Sequence, residues 1–133
     1  MKLNIINDES QRIENYTNVA VVNGELDLLN ISDGECEEVI LPACHLLSFS
    51  SLKSCVKKVA VGGNLKLQGL DLKMFCRNVA DQRLQEEEAS SLIELSKTVV
   101  PARNMCGIVS SLGFEIDTMN INGVQYQICA KRN

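Results

Sequence analysis

Two adjacent glycines, Gly62 and Gly63, separate a stretch with helical periodicity from a stretch with strand periodicity. Before them, apolar residues recur at three- and four-residue intervals over 48–60, which predicts an amphipathic helix. After them, apolar and polar residues alternate over 64–70, which predicts a strand with one buried face. Because glycine adopts positive φ angles at little cost, the pair is predicted to end the helix and turn the chain into the strand.

The other periodic stretches predict alternating strands and helices. Further strands are predicted over Lys2–Ile6, 17–22, 39–41, 114–119 and 124–130, with Asn122-Gly123 as a hairpin turn. Further helices are predicted over 71–82, from Glu86 onward and over 102–112. Serines from Ser48 onward and Asp71 are expected to cap helix starts, and Gly113 is expected to stop the last helix.

The length and composition indicate one domain over residues 1–133, because 133 residues is near the commonest domain size and 45% are hydrophobic. The sequence contains no apolar run of about 18 residues, so no membrane-spanning helix is predicted. The apolar run near Met1 is too short for a signal peptide. A cytosolic location is therefore expected.

Six cysteines are widely spaced, and most lie within apolar patterns. This spacing favours buried free thiols in a reducing compartment over a disulfide framework. The single histidine, His45, adjoins only Cys44, and a structural zinc site would need closely spaced ligand pairs, so no metal site is predicted.

The net charge of −4 and the aromatic content of 4% argue against a nucleic-acid partner. A surface that binds RNA or DNA usually carries a basic patch with aromatic side chains for stacking. Small-molecule and protein partners remain compatible with this charge.

Several motifs resemble class I S-adenosylmethionine-dependent methyltransferases. The Gly62-Gly63 corner is similar to the junction between that family's fourth helix and fifth strand. The other similar segments are Lys2-Leu3-Asn4-Ile5 (the first strand), Tyr16 with Asn18 and Val19 (the second strand), Asp27-Leu28, and Leu112-Gly113-Phe114 with the terminal hairpin. The resemblance implies a Rossmann-like α/β three-layer sandwich, with a mostly parallel sheet and an antiparallel C-terminal strand. Only about ten residues link the first two predicted strands, so the first helix is expected to be reduced or missing.

The resemblance also implies a position for the cofactor S-adenosylmethionine. The corresponding positions here are Ile6, Asn7, Asp8, Ala20, Asp27 and Leu41. The family's loop after the first strand is rich in glycine, because a side chain there would collide with the ligand, whereas this loop has no glycine. The acidic residue that pairs with the ribose hydroxyls falls on Ala20, whose methyl group cannot accept a hydrogen bond.

No catalytic residue is assigned from the sequence. His45 matches a histidine that the family often carries after its fourth strand, but the accompanying glutamate is missing. Without a carboxylate to orient the imidazole, a structural role for His45 is favoured over general base catalysis.

Three functional hypotheses follow. The first is a methyltransferase-like protein with a degenerate cofactor site, non-catalytic or acting as a partner subunit in a homo- or hetero-oligomer. The second is an active methyltransferase with an atypical cofactor loop. The third, which rests on the α/β class alone, is a binder of nucleotides or other small ligands without methyl transfer.

Overall fold

The computed structural model describes all 133 residues as one six-stranded mixed sheet with four α-helices. The strands are β1 (Lys2–Ile6), β2 (Thr17–Ala20), β3 (Cys36–Leu41), β4 (Val59–Leu70), β5 (Phe114–Asn122) and β6 (Gln125–Arg132). The helices are α1 (Phe49–Lys57), α2 (Leu72–Ala80), α3 (Glu86–Leu95) and α4 (Ala102–Ser111). Short 3-10 turns cover Glu9–Gln11 and Cys44–Leu46.

The strand order is β2-β1-β3-β4-β6-β5. The first four strands are parallel to one another, whereas β6 runs antiparallel to both β4 and β5. The single turn at Glu9–Gln11 is the only helical element between β1 and β2. The predicted Rossmann-like, mostly parallel sheet with an antiparallel C-terminal strand and a reduced first helix is therefore confirmed.

One face of the sheet forms the main core with α1 and α4. Its strand residues are mostly leucines, valines and isoleucines at alternating positions, among them Leu3, Ile5, Val39, Leu41, Leu65, Leu67 and Ile128. Leu52 and Val56 of α1, and Met105 and Val109 of α4, pack against them. Burial of these apolar surfaces is the main stabilising contribution to such a fold.

The opposite face is largely polar, and its covering layer over β1 consists of residues 7–16. There Asn4 of β1 is fully buried. Farther along the same face, Lys66 and Gln127 are exposed to solvent. The helices α2 and α3 instead pack around Leu70, at the carboxyl end of β4.

The predicted helix end at the glycine pair is wrong in its position. Helix α1 ends at Lys57, and β4 begins at Val59, before Gly62 and Gly63. The two glycines lie in an irregularity of the pairing between β3 and β4. Cys36 pairs with Val59 and Glu38 pairs with Asn64, so β4 advances by five residues while β3 advances by two. Gly62 has a φ of +80°, and a Cβ on Gly63 would lie 2.9 Å from the carbonyl oxygens of Ala60 and Glu37. The pair therefore forms a bulge inside the strand rather than a helix cap.

The other boundaries differ by smaller amounts. Strand β2 ends at Ala20 instead of residue 22, because Val22 pairs with Glu25 in a separate turn. The caps were predicted correctly: Ser48 accepts a hydrogen bond from the backbone N–H of Ser51, and Asp71 accepts one from that of Met74. Gly113 follows α4 with a φ of +94°.

Candidate functional site

The carboxyl ends of β1, β2 and β3 lie along one edge of the sheet, and the predicted cofactor positions Ile6, Ala20 and Leu41 are the last residues of these strands. Ile6 and Ala20 are paired neighbours in the parallel register. The chain leaves β1 toward β2 on one side, while β3 lies on the other side. Open α/β sheets bind ligands at such a switch of direction, so this edge is the candidate site.

The loop after β1 is tightened by its own side chains. The backbone N–H of Asn7 donates to Oε1 of Gln11 at 2.6 Å. Asp8 is exposed and caps the 3-10 turn by accepting the backbone N–H of Ser10 at 2.7 Å. Hydrogen bonds from Ser10 also lower the pKa of Asp8, so its carboxylate is charged at neutral pH. The loop thus presents side chains and a negative charge where the family uses bare glycine backbone.

A network of amides fastens this loop to the sheet. Asn4 Nδ2 donates to the carbonyl oxygen of Gln11 at 2.7 Å and to Oδ1 of Asn18 at 2.9 Å. Asn18 also accepts the N–H of Ile13 and donates to the carbonyl oxygens of Ile13 and Tyr16, each at 3.0 Å. This role of Asn4 was not predicted, although an asparagine between Leu3 and Ile5 in a buried strand was a signal, because a buried amide requires partners.

No acidic side chain replaces the residue missing at Ala20. Ala20 itself is exposed. Glu25 accepts a hydrogen bond from the Ser51 hydroxyl at 2.7 Å, which directs its carboxylate to the start of α1. That bond lowers the pKa of Glu25.

Asp27 lies in the irregular segment between β2 and β3. Its carboxylate accepts the N–H of Leu29 at 3.1 Å. Asp27 lines a surface cavity of about 590 Å³ together with Ser51, Ser54 and Lys58 of the α1 region, and no residue of β1 or β2 takes part. Ile6, Asn7, Ala20 and Leu41 therefore lie at or just after the carboxyl ends of β1, β2 and β3, whereas Asp27 lines a cavity to which none of them contributes. Five surface cavities of about 120 to 590 Å³ are lined by none of these four residues.

His45 is buried in the turn after β3, with 8% of its surface exposed. Its Nδ1 has no hydrogen-bond partner, and burial lowers the pKa of the imidazole. Its backbone carbonyl accepts the N–H groups of Lys97 and Thr98 at 2.8 and 3.0 Å. A neutral, enclosed imidazole without a carboxylate partner has the character of a packing residue.

The thiols differ in their exposure. All six cysteines are free; Cys36, Cys44 and Cys55 are buried, whereas Cys76 on α2 is exposed. Burial raises the pKa of both Cys44 and Cys55 to about 12, which suppresses their thiolate forms. No group of three or more His, Cys, Asp or Glu side chains is arranged to hold a metal ion. Every helix is too short or too polar to cross a bilayer.

Comparisons with known proteins support the fold. No family model and no curated protein sequence matches the chain. Among solved structures, the chain is similar to the PH0226 protein from Pyrococcus horikoshii OT3, with a TM-score of 0.59 and 11% identity over 99% of this chain and 71% of that one. It is also similar to a SAM-dependent methyltransferase from Archaeoglobus fulgidus, with a TM-score of 0.57 and 13% identity over 98% of this chain and 75% of that one. The chain therefore has a class I S-adenosylmethionine-dependent methyltransferase-like fold.

Proposed function

We propose that this protein is a methyltransferase-like domain whose S-adenosylmethionine site is degenerate, and that it works as a non-catalytic partner subunit. The main support is the loop after β1, in which Gln11 binds the N–H of Asn7. In a working site, that stretch would leave open backbone for the cofactor. A closed loop of this kind blocks close approach by a nucleoside ligand.

The methyl side chain of Ala20 gives a second, independent reason. A carboxylate at the end of the second strand would accept charge-assisted hydrogen bonds from the ribose hydroxyls, and such bonds contribute about 1.5–3 kcal/mol. Their loss corresponds to a roughly ten- to hundredfold weaker affinity. A micromolar ligand would thereby approach the millimolar range, even before the closed loop is considered.

A partner role is compatible with the rest of the chain. The framework of the fold is retained, whereas the candidate edge holds no catalytic constellation. The six free thiols favour a reducing compartment, so we expect the protein in the cytosol.

Calorimetric titration with S-adenosylmethionine and with its demethylated product tests the proposal. We expect no binding heat up to about 1 mM ligand. Micromolar binding of either ligand would overturn the proposal and favour an active methyltransferase with an atypical loop.

A matched pair of variants tests the role of Ala20 directly. Ala20→Asp restores a carboxylate beside Ile6, and Ala20→Asn supplies a similar shape without the charge. A ten- to hundredfold gain in affinity with aspartate, and a smaller one with asparagine, would identify this edge as the lost site. If the wild type binds the ligand and Ala20→Asp does not change the affinity, the ligand occupies a different place, contrary to the proposal.

A further inference from the structure

A cavity of about 430 Å³ lies between α2, the start of α4 and the second half of β5, and no residue of β1, β2 or β3 lines it. We name it the α2–β5 cavity. Its lining includes Lys73, Met74, Arg77, Pro101, Arg103, Met119 and Ile121. These side chains come from α2, from β5 and from the start of α4, and β5 is the outermost strand on that side of the sheet.

The charge of the cavity is opposite to that of the whole chain. Lys73, Arg77 and Arg103 line it, and none of them takes part in the three ion pairs of the structure, which lie elsewhere. Asp71 is the single carboxylate of the lining, and its two oxygens accept the backbone N–H groups of Met74 and Ala102. Three cations are therefore free to bind an anionic group in a protein of net charge −4.

Apolar side chains stand beside these cations. Met119 and Ile121 are 37% and 45% exposed, which is high for residues of this type. They are two positions apart on β5, so their side chains point to the same side of the strand. A ligand that covers them would have to combine apolar groups with negative charge.

The open edge of β5 gives the shape of that ligand. Strand β5 hydrogen-bonds to β6 on one side and to no strand on the other. Residues 117–122 are exposed and contain no proline. Unpaired backbone groups of an edge strand can pair with an added strand, which supplies affinity through backbone hydrogen bonds.

We propose that an extended segment of a partner protein adds to the edge of β5, with both its apolar and its acidic residues at every second position, so that they share the face of the strand that looks onto the α2–β5 cavity. Its apolar side chains cover Met119 and Ile121, while its acidic side chains meet the cations of α2 and α4. This deepens the proposed partner role, because it names a surface and the chemistry of the segment that occupies it.

Fluorescence polarisation tests the proposal on the full chain, with a labelled peptide in which leucine and glutamate take turns at every second position and threonine fills the positions between them. We expect saturable binding that Arg77→Glu and Arg103→Glu each weaken about tenfold or more, because each replaces attraction by repulsion. Arg83→Glu is the matched control, since Arg83 is exposed near the end of α2 but does not line the cavity. It should change the affinity less than about twofold.

Two further peptides separate strand addition from simple charge attraction. The same peptide with methylated backbone nitrogens keeps its charge but cannot donate the strand hydrogen bonds, and a glutamate-only peptide lacks the apolar side chains. We expect both to bind at least about tenfold more weakly. The proposal would be overturned if all three peptides bound equally well, or if no peptide bound at about 1 mM. It would also be overturned if Arg83→Glu weakened peptide binding as much as Arg77→Glu and Arg103→Glu do.

The two proposals can fail separately. The peptide assay contains no nucleoside and reports on the α2–β5 cavity, whereas the calorimetric titration reports on the ends of β1 and β2. Peptide binding by a chain that also binds S-adenosylmethionine would overturn the degenerate site alone.

Discussion

Asn4 Nδ2 donates a hydrogen bond to Asn18 Oδ1 at 2.9 Å, and the two residues are paired neighbours on parallel strands β1 and β2. The same Asn4 amide holds the carbonyl oxygen of Gln11. Asn18 in turn holds Ile13 and Tyr16. Two amides therefore fix the ten-residue link that stands in place of a first helix.

Replacing Asn18 by alanine should lower the free energy of unfolding by about 2–3 kcal/mol. The substitution removes four hydrogen bonds and leaves a donor of the fully buried Asn4 with one partner fewer. Urea denaturation followed by circular dichroism measures the change, with an unchanged slope expected if the fold is retained.

Asn104→Ala is the control for Asn18→Ala, because Asn104 is exposed on α4 and its side chain makes no hydrogen bond. It should change stability by less than about 0.5 kcal/mol. A loss at Asn18 no larger than the loss at Asn104 would show that the amide network does not secure the link.

Local sequence signals predicted much of the fold. Strand β1, the caps Ser48 and Asp71, and the Asn122-Gly123 hairpin were all identified, because each depends on residues close together in the chain. The mostly parallel sheet with its antiparallel C-terminal strand followed from the family resemblance rather than from periodicity.

The errors and omissions involve contacts between distant parts of the chain. Gly62 and Gly63 were interpreted as a helix end, but Gly63 is restricted by the carbonyl oxygen of Ala60 and also by that of Glu37 on the neighbouring strand. The contribution of Asp27 to a cavity beside α1 depends on the path of residues 21–31, which has no regular element to predict. The role of Asn4 required its partner Asn18, fourteen residues away, to be placed beside it.

Asp71 caps two helices at once, and its removal should cost about 2–4 kcal/mol. Its Oδ2 accepts the N–H of Met74 in α2, while its Oδ1 accepts the N–H of Ala102 in α4 at 2.7 Å. Asp71→Ala would leave both buried donors without a partner, since only 2% of the residue is exposed. Asp71→Asn keeps one acceptor oxygen and should lose about half as much.

Asp81→Ala is the matched control for Asp71, because Asp81 follows the end of α2 and is exposed. Thermal and urea unfolding of the three variants should give the order Asp81→Ala, Asp71→Asn, Asp71→Ala from most to least stable. Equal stability of Asp71→Asn and the wild type would contradict the double cap.

Gly69→Ala should destabilise the fold by about 1–3 kcal/mol, because the new Cβ would overpack the core. It would lie 2.5 Å from the Tyr126 hydroxyl oxygen and 2.8 Å from Cys44 Sγ, two atoms that are themselves 2.9 Å apart. Gly107→Ala is the opposite case, since a Cβ within α4 meets nothing within 4 Å.

The expected gain in stability for Gly107→Ala is about 0.5–1 kcal/mol, the usual advantage of alanine over glycine inside a helix.

Tyr126→Phe combined with Gly69→Ala should recover part of the stability that Gly69→Ala loses, because it removes the hydroxyl oxygen nearest to the new Cβ. Urea unfolding of the wild type, the three single variants and the double variant measures these differences. Independent, additive effects of Gly69→Ala and Tyr126→Phe would refute the clash.

His45 makes the free energy of unfolding depend on pH below neutrality, at pH values above those at which carboxylates titrate. It is the single histidine, and its burial without an Nδ1 partner lowers the pKa of the imidazole in the folded state. The unfolded chain binds a proton near pH 6.5. As the pH falls through that value, the unfolded state takes up a proton that the folded state does not, so folding becomes less favourable.

The free energy of unfolding should therefore decrease from about pH 7 toward pH 5, with a slope of at most about 1.4 kcal/mol per pH unit. His45→Leu removes the titrating group and should flatten this slope, whatever its effect on stability at pH 7. Exposed carboxylates with lowered pKa values, such as Glu9 and Asp33, act in the same direction but below about pH 4.5. Urea unfolding at pH 7.5, 6.5 and 5.5, values chosen around the ordinary pKa of about 6.5, measures the slope in both proteins. Parallel pH profiles would show that the imidazole of His45 gains its proton as readily in the folded chain as in the unfolded one.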